Sequence, residues 1–259
     1  MKSIWKGGVT FGLIYIPVNM YSATEPIRID LDYLSRKDLA PIRYARIDTK
    51  TGREVPWKDV VKGYEYRRGD YVVLDEEDFA KVYIKKSKSI EIDSFVDSEE
   101  IDPKYFEKPY YLEPQKGAEK TYALLVEALK KTNKVGVAEF VFKNREHLCV
   151  LKPDGNMLIL NQMRYKDEIR STKDLNIPKE AKLDKKEINM AVDLVESMSE
   201  RFKVNAYKDD YIDSLKKLIE AKAKKKKIKT PKGKAPKPTE VSELMEALRK
   251  SLEEVQIQR

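Results

Sequence analysis

Few residues in this sequence could act as nucleophiles or metal ligands. Cys149 is the only cysteine and His147 the only histidine among 259 residues. A structural zinc site needs about four ligands, so this inventory excludes a zinc finger and an intrachain disulfide framework. His147 and Cys149 share the parity of one predicted strand, so both would face the same side of it. We interpret them as packing residues of a strand in a reducing compartment.

Carboxylates are the next candidates for catalytic chemistry. Four consecutive acids, residues 75–78, could hold a divalent cation. Acids at the start of a predicted helix are, however, typical of a solvated helix terminus. No glycine-rich phosphate loop of either common spacing is present. We therefore expect a binding protein that is not an enzyme and that has no metal and no cofactor.

Positive charge is the strongest chemical signal. The formal net charge is +8, and residues 221–238 carry nine lysines and no acid, so the rest of the chain sums to 8 − 9 = −1. Residues 1–68 are basic and residues 69–115 are acidic. Clustered cations attract polyanions through counterion release without reading a sequence. The predicted DNA-binding residues are Arg28, Arg36, Lys37, Arg43, Arg46, Lys50, Arg53, Lys62, Lys143, Arg145, Lys224, Lys225, Lys226 and Lys227.

The cations of residues 28–62 alternate with Tyr33, Tyr44 and Trp57 along a segment of strands and turns. Basic side chains on an extended ribbon can follow a phosphate backbone and set its position without contacting bases. A solvated hairpin face would have a similar composition, and both interpretations stay open for each residue. Lys143 and Arg145 form a second basic turn, which could face the same groove.

The first two thirds of the chain are predicted to be mostly short strands. Strands are expected at 11–21, 71–74, 89–96, 110–112, 134–142, 147–152 and 157–162, with a hairpin of 40–48 and 54–60 around Thr51-Gly52. A short helix is expected at 75–82, and Tyr122, Leu125, Val126 and Leu129 predict an amphipathic helix over 118–131. This pattern favours a barrel or a sandwich.

The remainder of the chain is predicted to be helical. Asp184 with Glu187 predicts a capped helix, and Ile188, Val192, Val195, Met198 and Phe202 form one apolar stripe. A second helix is expected from Asp209. After the lysine-rich segment, a last helix begins near Thr239. Its predicted partner-binding residues are Val241, Leu244, Leu248, Leu252 and Val255. Docking of this helix on the chain's own domain is the alternative.

The apolar run near the N-terminus has some likeness to a signal peptide. It contains Gly7, Gly8, Gly12 and Pro17, however, so we predict a buried strand there. No stretch reaches the roughly 18 apolar residues that a membrane span needs. The expected location is cytoplasmic and associated with the nucleoid, with no membrane partner.

Several consecutive segments together resemble the bacterial and archaeal-type Ku proteins. The resemblance covers about residues 2–227. Its main segments are IWKGGVTFGLIYIPVNMYSAT, LAPIRYARIDTKTGREVPWKDVVKGYEY, EKPYYLEP, YALLVEALKK, VGVAEFVFKNREHLCVLKP, LNQMRY and MAVDLVESMSERFKVNAYKDDYIDSLKKLIEAK. Agreement over so many segments is far more specific than any short motif.

The resemblance implies an α+β fold with a Ku-core β-barrel. The implied domains are the core at 1–183 with an inserted DNA-encircling bridge at about 23–60, a helical arm at 184–220, a lysine-rich linker at 221–238 and a C-terminal helical module at 239–259. It also implies a homodimeric ring that threads onto double-stranded DNA ends in double-strand-break repair by non-homologous end joining. The C-terminal module would recruit an ATP-dependent DNA ligase.

Two other functions remain open at this point. A general nucleic-acid-binding protein would use mainly the lysine-rich segment, and its binding would fail without residues 221–238. A carboxylate-dependent nuclease would cleave DNA with magnesium, although no residue pattern supports one.

Overall fold

The computed structural model of this protein describes residues 1–82, 88–143, 145–178, 183–224 and 243–257. The chain divides into two compact units, Met1–Thr172 and Lys173–Arg259. No helix of the described residues is long and apolar enough to cross a membrane.

The first unit contains nine strands and two helices in its described part. The strands are β1 (Trp5–Phe11), β2 (Ile14–Ser22), β3 (Lys62–Arg67), β4 (Asp70–Leu74), β5 (Ser89–Asp97), β6 (Phe106–Pro114), β7 (Lys134–Phe142), β8 (Arg145–Asp154) and β9 (Met157–Met163), and the helices are α1 (Glu76–Val82) and α2 (Glu119–Thr132). Seven strands close a barrel in the order β1-β2-β6-β9-β8-β7-β5. The predicted barrel and the α+β class are therefore confirmed.

The N-terminal strand prediction needs a correction. A single strand was expected over 11–21, but the chain makes a tight hairpin of β1 and β2 in which Phe11 pairs with Ile14. Gly12 adopts a φ of 56°, a conformation that glycine takes without steric cost. Leu13 is fully exposed at the turn. Gly7 and Gly8 therefore lie in β1, and Gly12 lies in the turn to β2.

Parallel pairing of β1 with β5 closes the barrel. Gly8 pairs with Ser89, and every other pairing in the barrel is antiparallel. A Cβ on Gly7 would collide with the Lys88 carbonyl oxygen and with the Trp5 ring, so the close approach of the two strands requires glycine there. In β5 a bulge between Ile92 and Ser94 shifts the register. This bulge explains why the alternation over 89–96 could not be assigned to one face.

The barrel interior is filled by aliphatic and aromatic side chains, and α2 covers one of its ends. Tyr122, Leu125, Val126 and Leu129 of α2 are buried in the same cluster as the interior residues, as their spacing predicts. The Tyr122 hydroxyl donates to the Leu112 carbonyl of β6 and accepts from the Leu158 N–H of β9, both at 2.6 Å. Its burial raises the pKa of Tyr122, so the neutral hydroxyl serves both strands.

The second unit contains α3 (Lys185–Met198), α4 (Asp210–Ala223) and α5 (Leu244–Ile257). The predicted capping box of α3 is present. The Asp184 carboxylate accepts the N–H of Glu187, and the Glu187 carboxylate accepts the N–H of Asp184. Asp209 caps α4 through the N–H groups of Tyr211 and Ile212. α5 packs against α3.

Replacing Tyr122 with phenylalanine should destabilise the barrel by about 1–3 kcal/mol, because the Leu112 carbonyl and the Leu158 N–H would both lose a buried partner. Urea unfolding followed by circular dichroism measures this loss. Tyr15→Phe is the matched control, since the Tyr15 side chain is 55% exposed. Equal stability of the two variants would contradict the bridging role.

Candidate nucleic-acid interface

A long insertion leaves and re-enters the barrel at one end. It runs from residue 23, after β2, to residue 88, before β5. The structure describes residues 23–82 and Lys88 of it. Ala23 donates its N–H to the Pro109 carbonyl (3.2 Å), and the Lys88 carbonyl accepts from the Gly8 N–H (3.0 Å). The two attachment points are separated only by β1, a spacing of roughly 10 Å. The two ends of the insertion therefore attach close together, at the end of the barrel opposite α2.

The first part of the insertion is a loop closed by a single bridge between Leu34 and Pro41. Arg36 and Lys37 lie at its exposed tip. Asp38 faces the loop, where its carboxylate accepts from the Ala40 N–H (3.3 Å). Hydrogen bonds from the Ser35 side chain and the Ala40 backbone lower the pKa of Asp38. The acid therefore shapes the loop, and the two cations stay available.

A second loop repeats this arrangement. Asp48 accepts from the N–H groups of Lys50 (2.7 Å) and Thr51 (3.3 Å), which lower the pKa of Asp48. Ile47 bridges Glu54, so the predicted turn at Thr51-Gly52 is confirmed. The two strands predicted around it are wrong, because the pairing stops at this isolated bridge. The Arg46 guanidinium lies 4.4 Å from the centroid of the Trp57 ring, which holds it by a cation–π contact.

The insertion continues into the β3–β4 hairpin and α1. All β3 residues and most of β4 are exposed on both faces. Lys62 lies 3.6 Å from Glu76 and 4.7 Å from the centroid of the Phe79 ring. At the start of α1, Asp75 and Asp78 each accept the other's backbone N–H. These acids serve the helix terminus, as the sequence predicts.

The predicted DNA-binding residues fall into three groups: those of the insertion, those at the β7–β8 turn, and those from Lys224 onward. All those in the described residues are exposed, and Lys62 and Arg145 form ion pairs with Glu76 and Glu168. Within the described residues, no carboxylate pairs with the other predicted DNA-binding cations of the insertion, which are Arg28, Arg36, Lys37, Arg43, Arg46, Lys50 and Arg53. Lys143 and Arg145 flank the β7–β8 turn, at the barrel end that carries the insertion. Lys224 follows α4, whereas Lys225, Lys226, Lys227 and Val241 lie outside the described residues.

Some basic residues near this surface were missed by the sequence analysis. Arg67 and Arg68 lie at the β3–β4 turn, with Arg67 5.9 Å from the Tyr66 ring centroid. Strand β3 was not predicted, although its Tyr64 and Tyr66 alternate before the turn signal Arg68-Gly69. Lys2 and Lys108 belong to the same barrel end but lie far apart in the sequence. Only the register of β1, β2 and β6 brings them together.

A polar cluster closes the barrel interior at this end. Gln162 accepts from the Tyr110 hydroxyl (3.3 Å), donates to Glu107 (3.1 Å) and lies 3.1 Å from His147 Nδ1. Burial lowers the pKa of His147, so the neutral imidazole accepts from the Gln162 amide at neutral pH. Burial also raises the pKa of Cys149 far above its usual value. Both residues are therefore packing residues, as predicted.

The apolar stripe predicted on α3 is solvent-exposed. Val192, Val195 and Met198 are 47%, 66% and 64% exposed. A different face of α3, with Met190 and Leu194, is half-buried. On α5 the half-buried residues include four of the predicted partner-binding positions, Leu244, Leu248, Leu252 and Val255. Because α5 packs on α3, this leucine face is already covered within the chain.

Comparisons with known proteins agree on one family. The family model described as Ku70/Ku80 beta-barrel domain matches residues 10–190. This range begins in β1 and ends in α3, so it contains the insertion and the basic β7–β8 turn.

Similar relatives come from bacteria and archaea. The non-homologous end joining protein Ku of Coxiella burnetii is 39% identical over 259 residues, which cover 98% of this chain and 94% of that protein. The protein of the same name from Pseudomonas aeruginosa is 42% identical and covers 86% of this chain and 78% of its own length. That of Archaeoglobus fulgidus is 38% identical over 98% of this chain and all of its own length.

Proposed function

This chain belongs to the Ku family, and we propose that it binds the ends of double-stranded DNA in non-homologous end joining. The protein acts as a homodimeric ring that threads onto an end without reading its sequence. It then recruits an ATP-dependent DNA ligase and performs no catalysis itself. The names of the relatives support the pathway.

The observation that carries the proposal is the insertion with its unpaired cations. A barrel holds both ends of the insertion, while Arg36, Lys37 and Lys50 stand at exposed loop tips. Exposed loops on a rigid scaffold commonly carry binding residues. These side chains can neutralise phosphates because no carboxylate of the described residues pairs with them.

Threading explains specificity for ends without base contacts. Phosphate contacts position a protein on a duplex but carry no sequence information. In a closed ring, only a free end can enter, so topology provides the selectivity. Affinity comes from phosphate neutralisation. We expect the carboxylates of the acidic stretch of residues 70–113 to face away from the duplex, because they would repel phosphates.

The first test is a competition between linear and covalently closed circular DNA of the same sequence. We expect linear DNA alone to displace a labelled linear duplex in a gel-shift assay. The logarithm of the affinity should fall linearly with that of the salt concentration, by a slope of about −0.9 per phosphate contact. Equal competition by the circle would contradict threading.

The matched control for this test removes the lysine-rich segment. Replacing the seven lysines of residues 225–238 with serine spares α4 and the barrel. The preference for linear DNA should survive this replacement. Loss of nearly all binding would instead support the alternative, a general nucleic-acid-binding protein that acts through these lysines.

The exposed face of α3 supports the homodimer. Ile188, Val192, Val195 and Met198 leave a contiguous apolar stripe in solvent, and large exposed apolar patches usually mark interfaces. The insertion also exposes Tyr44 (86%) and several other large apolar side chains. A second copy of the chain would cover such surfaces symmetrically.

We predict that Val195→Asp converts the dimer to a monomer in analytical ultracentrifugation. A charge in the centre of an apolar interface is not compensated, whereas Val195 is 66% exposed in the single chain, so folding should be unaffected. End binding should fall by roughly tenfold or more, because a monomer loses the second set of contacts. Asn189→Asp on the same helix adds the same charge away from the stripe and should stay dimeric. A dimeric Val195→Asp variant would exclude this face as the interface.

We assign ligase recruitment to α5. Because α5 packs on α3, this recruitment includes the release of α5 from α3. The leucine face predicted to bind the partner is half-buried, and α5 packs on α3. The ligase must therefore displace α5 from α3 before it can contact Leu244, Leu248 and Leu252. An amphipathic helix that enters a groove of a partner is a common mode of recognition.

Deleting residues 239–259 should leave the affinity for linear DNA unchanged, because the barrel and its insertion remain intact. The deletion should abolish stimulation of an ATP-dependent DNA ligase from the same organism in an end-joining assay. Glu253→Gln, on the exposed side of α5, serves as the control and should stimulate normally. Full stimulation by the truncated protein would assign ligase recruitment to another part of the chain.

A further inference from the structure

An open pocket of 510 Å³ lies at the barrel end that carries the insertion. Its walls come from the residues before β1, the end of β2, the start of β6 and the β7–β8 turn. Three of its lining residues are Lys2, Lys108 and Lys143, and none of the described lining residues is a carboxylate. These lysines form no ion pair within the described part of the chain. Three ammonium groups around one cavity repel one another, and a bound anion would relieve this repulsion.

The floor of the pocket is aromatic. Tyr110 and Phe142 lie edge to face with their ring centroids 6.1 Å apart. Lys108 Nζ is 5.5 Å from the Tyr110 centroid, and Lys143 Nζ is 5.4 Å from the Phe142 centroid. The ammonium groups are thus held against the rings. Tyr110 is only 2% exposed and supports Phe142 from the core. The half-buried Phe142 ring is therefore the apolar surface that a base would contact, beside cations that a phosphate would contact.

The backbone fixes the position of two polar lining residues. Lys143 has a φ of 52°, in the left-handed region that few non-glycine residues adopt. The first residue of a two-residue hairpin loop adopts this conformation, and the pair of Phe142 with Arg145 closes such a loop here. Ser22 also lines the pocket, and its hydroxyl donates to the Thr24 carbonyl at the beginning of the insertion (2.8 Å). The pocket is therefore built at the base of the insertion.

We infer that this pocket binds a nucleoside 5′-phosphate. The lysines would contact the phosphate and the Phe142 ring would contact the base, and the volume suits a ligand of that size. One source is the 5′-terminal nucleotide of a DNA end, and this reading rests on the proposed end binding. The other source is a free nucleotide. The position beside the insertion favours the DNA terminus, because an end held by the insertion would lie next to the pocket.

The test compares linear duplexes with short 5′ overhangs that end in a phosphate or in a hydroxyl. We expect the native protein to bind the phosphorylated end about tenfold more tightly. In the Lys2→Gln/Lys108→Gln variant the ratio of the affinities for the phosphorylated and the hydroxyl end should fall to about one, whatever the change in overall affinity. The control variant Lys116→Gln/Lys120→Gln removes two exposed lysines near the start of α2, at the other end of the barrel. It should keep the full preference.

A second measurement separates the two sources. Deoxyadenosine 5′-monophosphate is titrated into the native protein and the Lys2→Gln/Lys108→Gln variant by calorimetry. Tight binding of this nucleotide by the native protein alone, without any preference for phosphorylated ends, would assign the pocket to free nucleotides and overturn the terminal-phosphate reading. Absence of both effects would overturn the inference entirely. If circular DNA competes as well as linear DNA, the proposed function fails, yet the calorimetric result still decides whether the pocket binds a nucleotide.

Discussion

The parallel pairing of β1 with β5 is the constraint on which the rest of the first unit depends. Parallel neighbours cannot be joined by a tight turn, so the chain must make a long excursion between them. Because β2 returns antiparallel to β1, this excursion starts and finishes at the same end of the barrel. Gly7 permits the closure, since a side chain there would meet the Lys88 carbonyl. The pairing that closes the core thus also determines where the insertion stands.

The two ends of the barrel differ accordingly. At one end, α2 and the Tyr122 hydroxyl tie β6 to β9, which makes that end compact. At the other end, none of the described residues of the insertion is buried, and its loops are held by Asp38, Asp48 and a few backbone hydrogen bonds. Ordering such a segment costs conformational entropy that its few internal contacts do not offset. Its exposed aromatic residues and cations are consistent with the dimer contacts and the DNA binding proposed above.

The sequence predicts elements with strong local periodicity and misses what tertiary contacts decide. The helix α2 and the capping box of α3 were predictable, because Tyr122, Leu125 and Asp184 act through neighbours in the sequence. Strand β1 was not predicted, since Gly7 and Gly8 are there for close approach and glycine weakens a strand pattern. The ion pair of Arg145 with Glu168 likewise spans two elements. Helix α3 has two apolar faces, and only the fold determines which one α5 covers.

The proposed binding of phosphate by the insertion depends more on the geometry of its charges than on their sum. Residues 23–88 hold 15 basic and 13 acidic residues, so their net charge is only 15 − 13 = +2. Two of these acids, Asp38 and Asp48, are turned toward the backbone N–H groups of their own loops, while Arg36, Lys37 and Lys50 point outward from the tips. A phosphate at a loop tip would therefore meet the cations first, since Coulomb attraction is strongest at contact distance and is screened within about 8–10 Å. In the proposed ring, a nearly neutral segment would hold DNA through these loop tips yet attract polyanions only weakly from a distance. This would favour entry at an end over coating of the whole duplex.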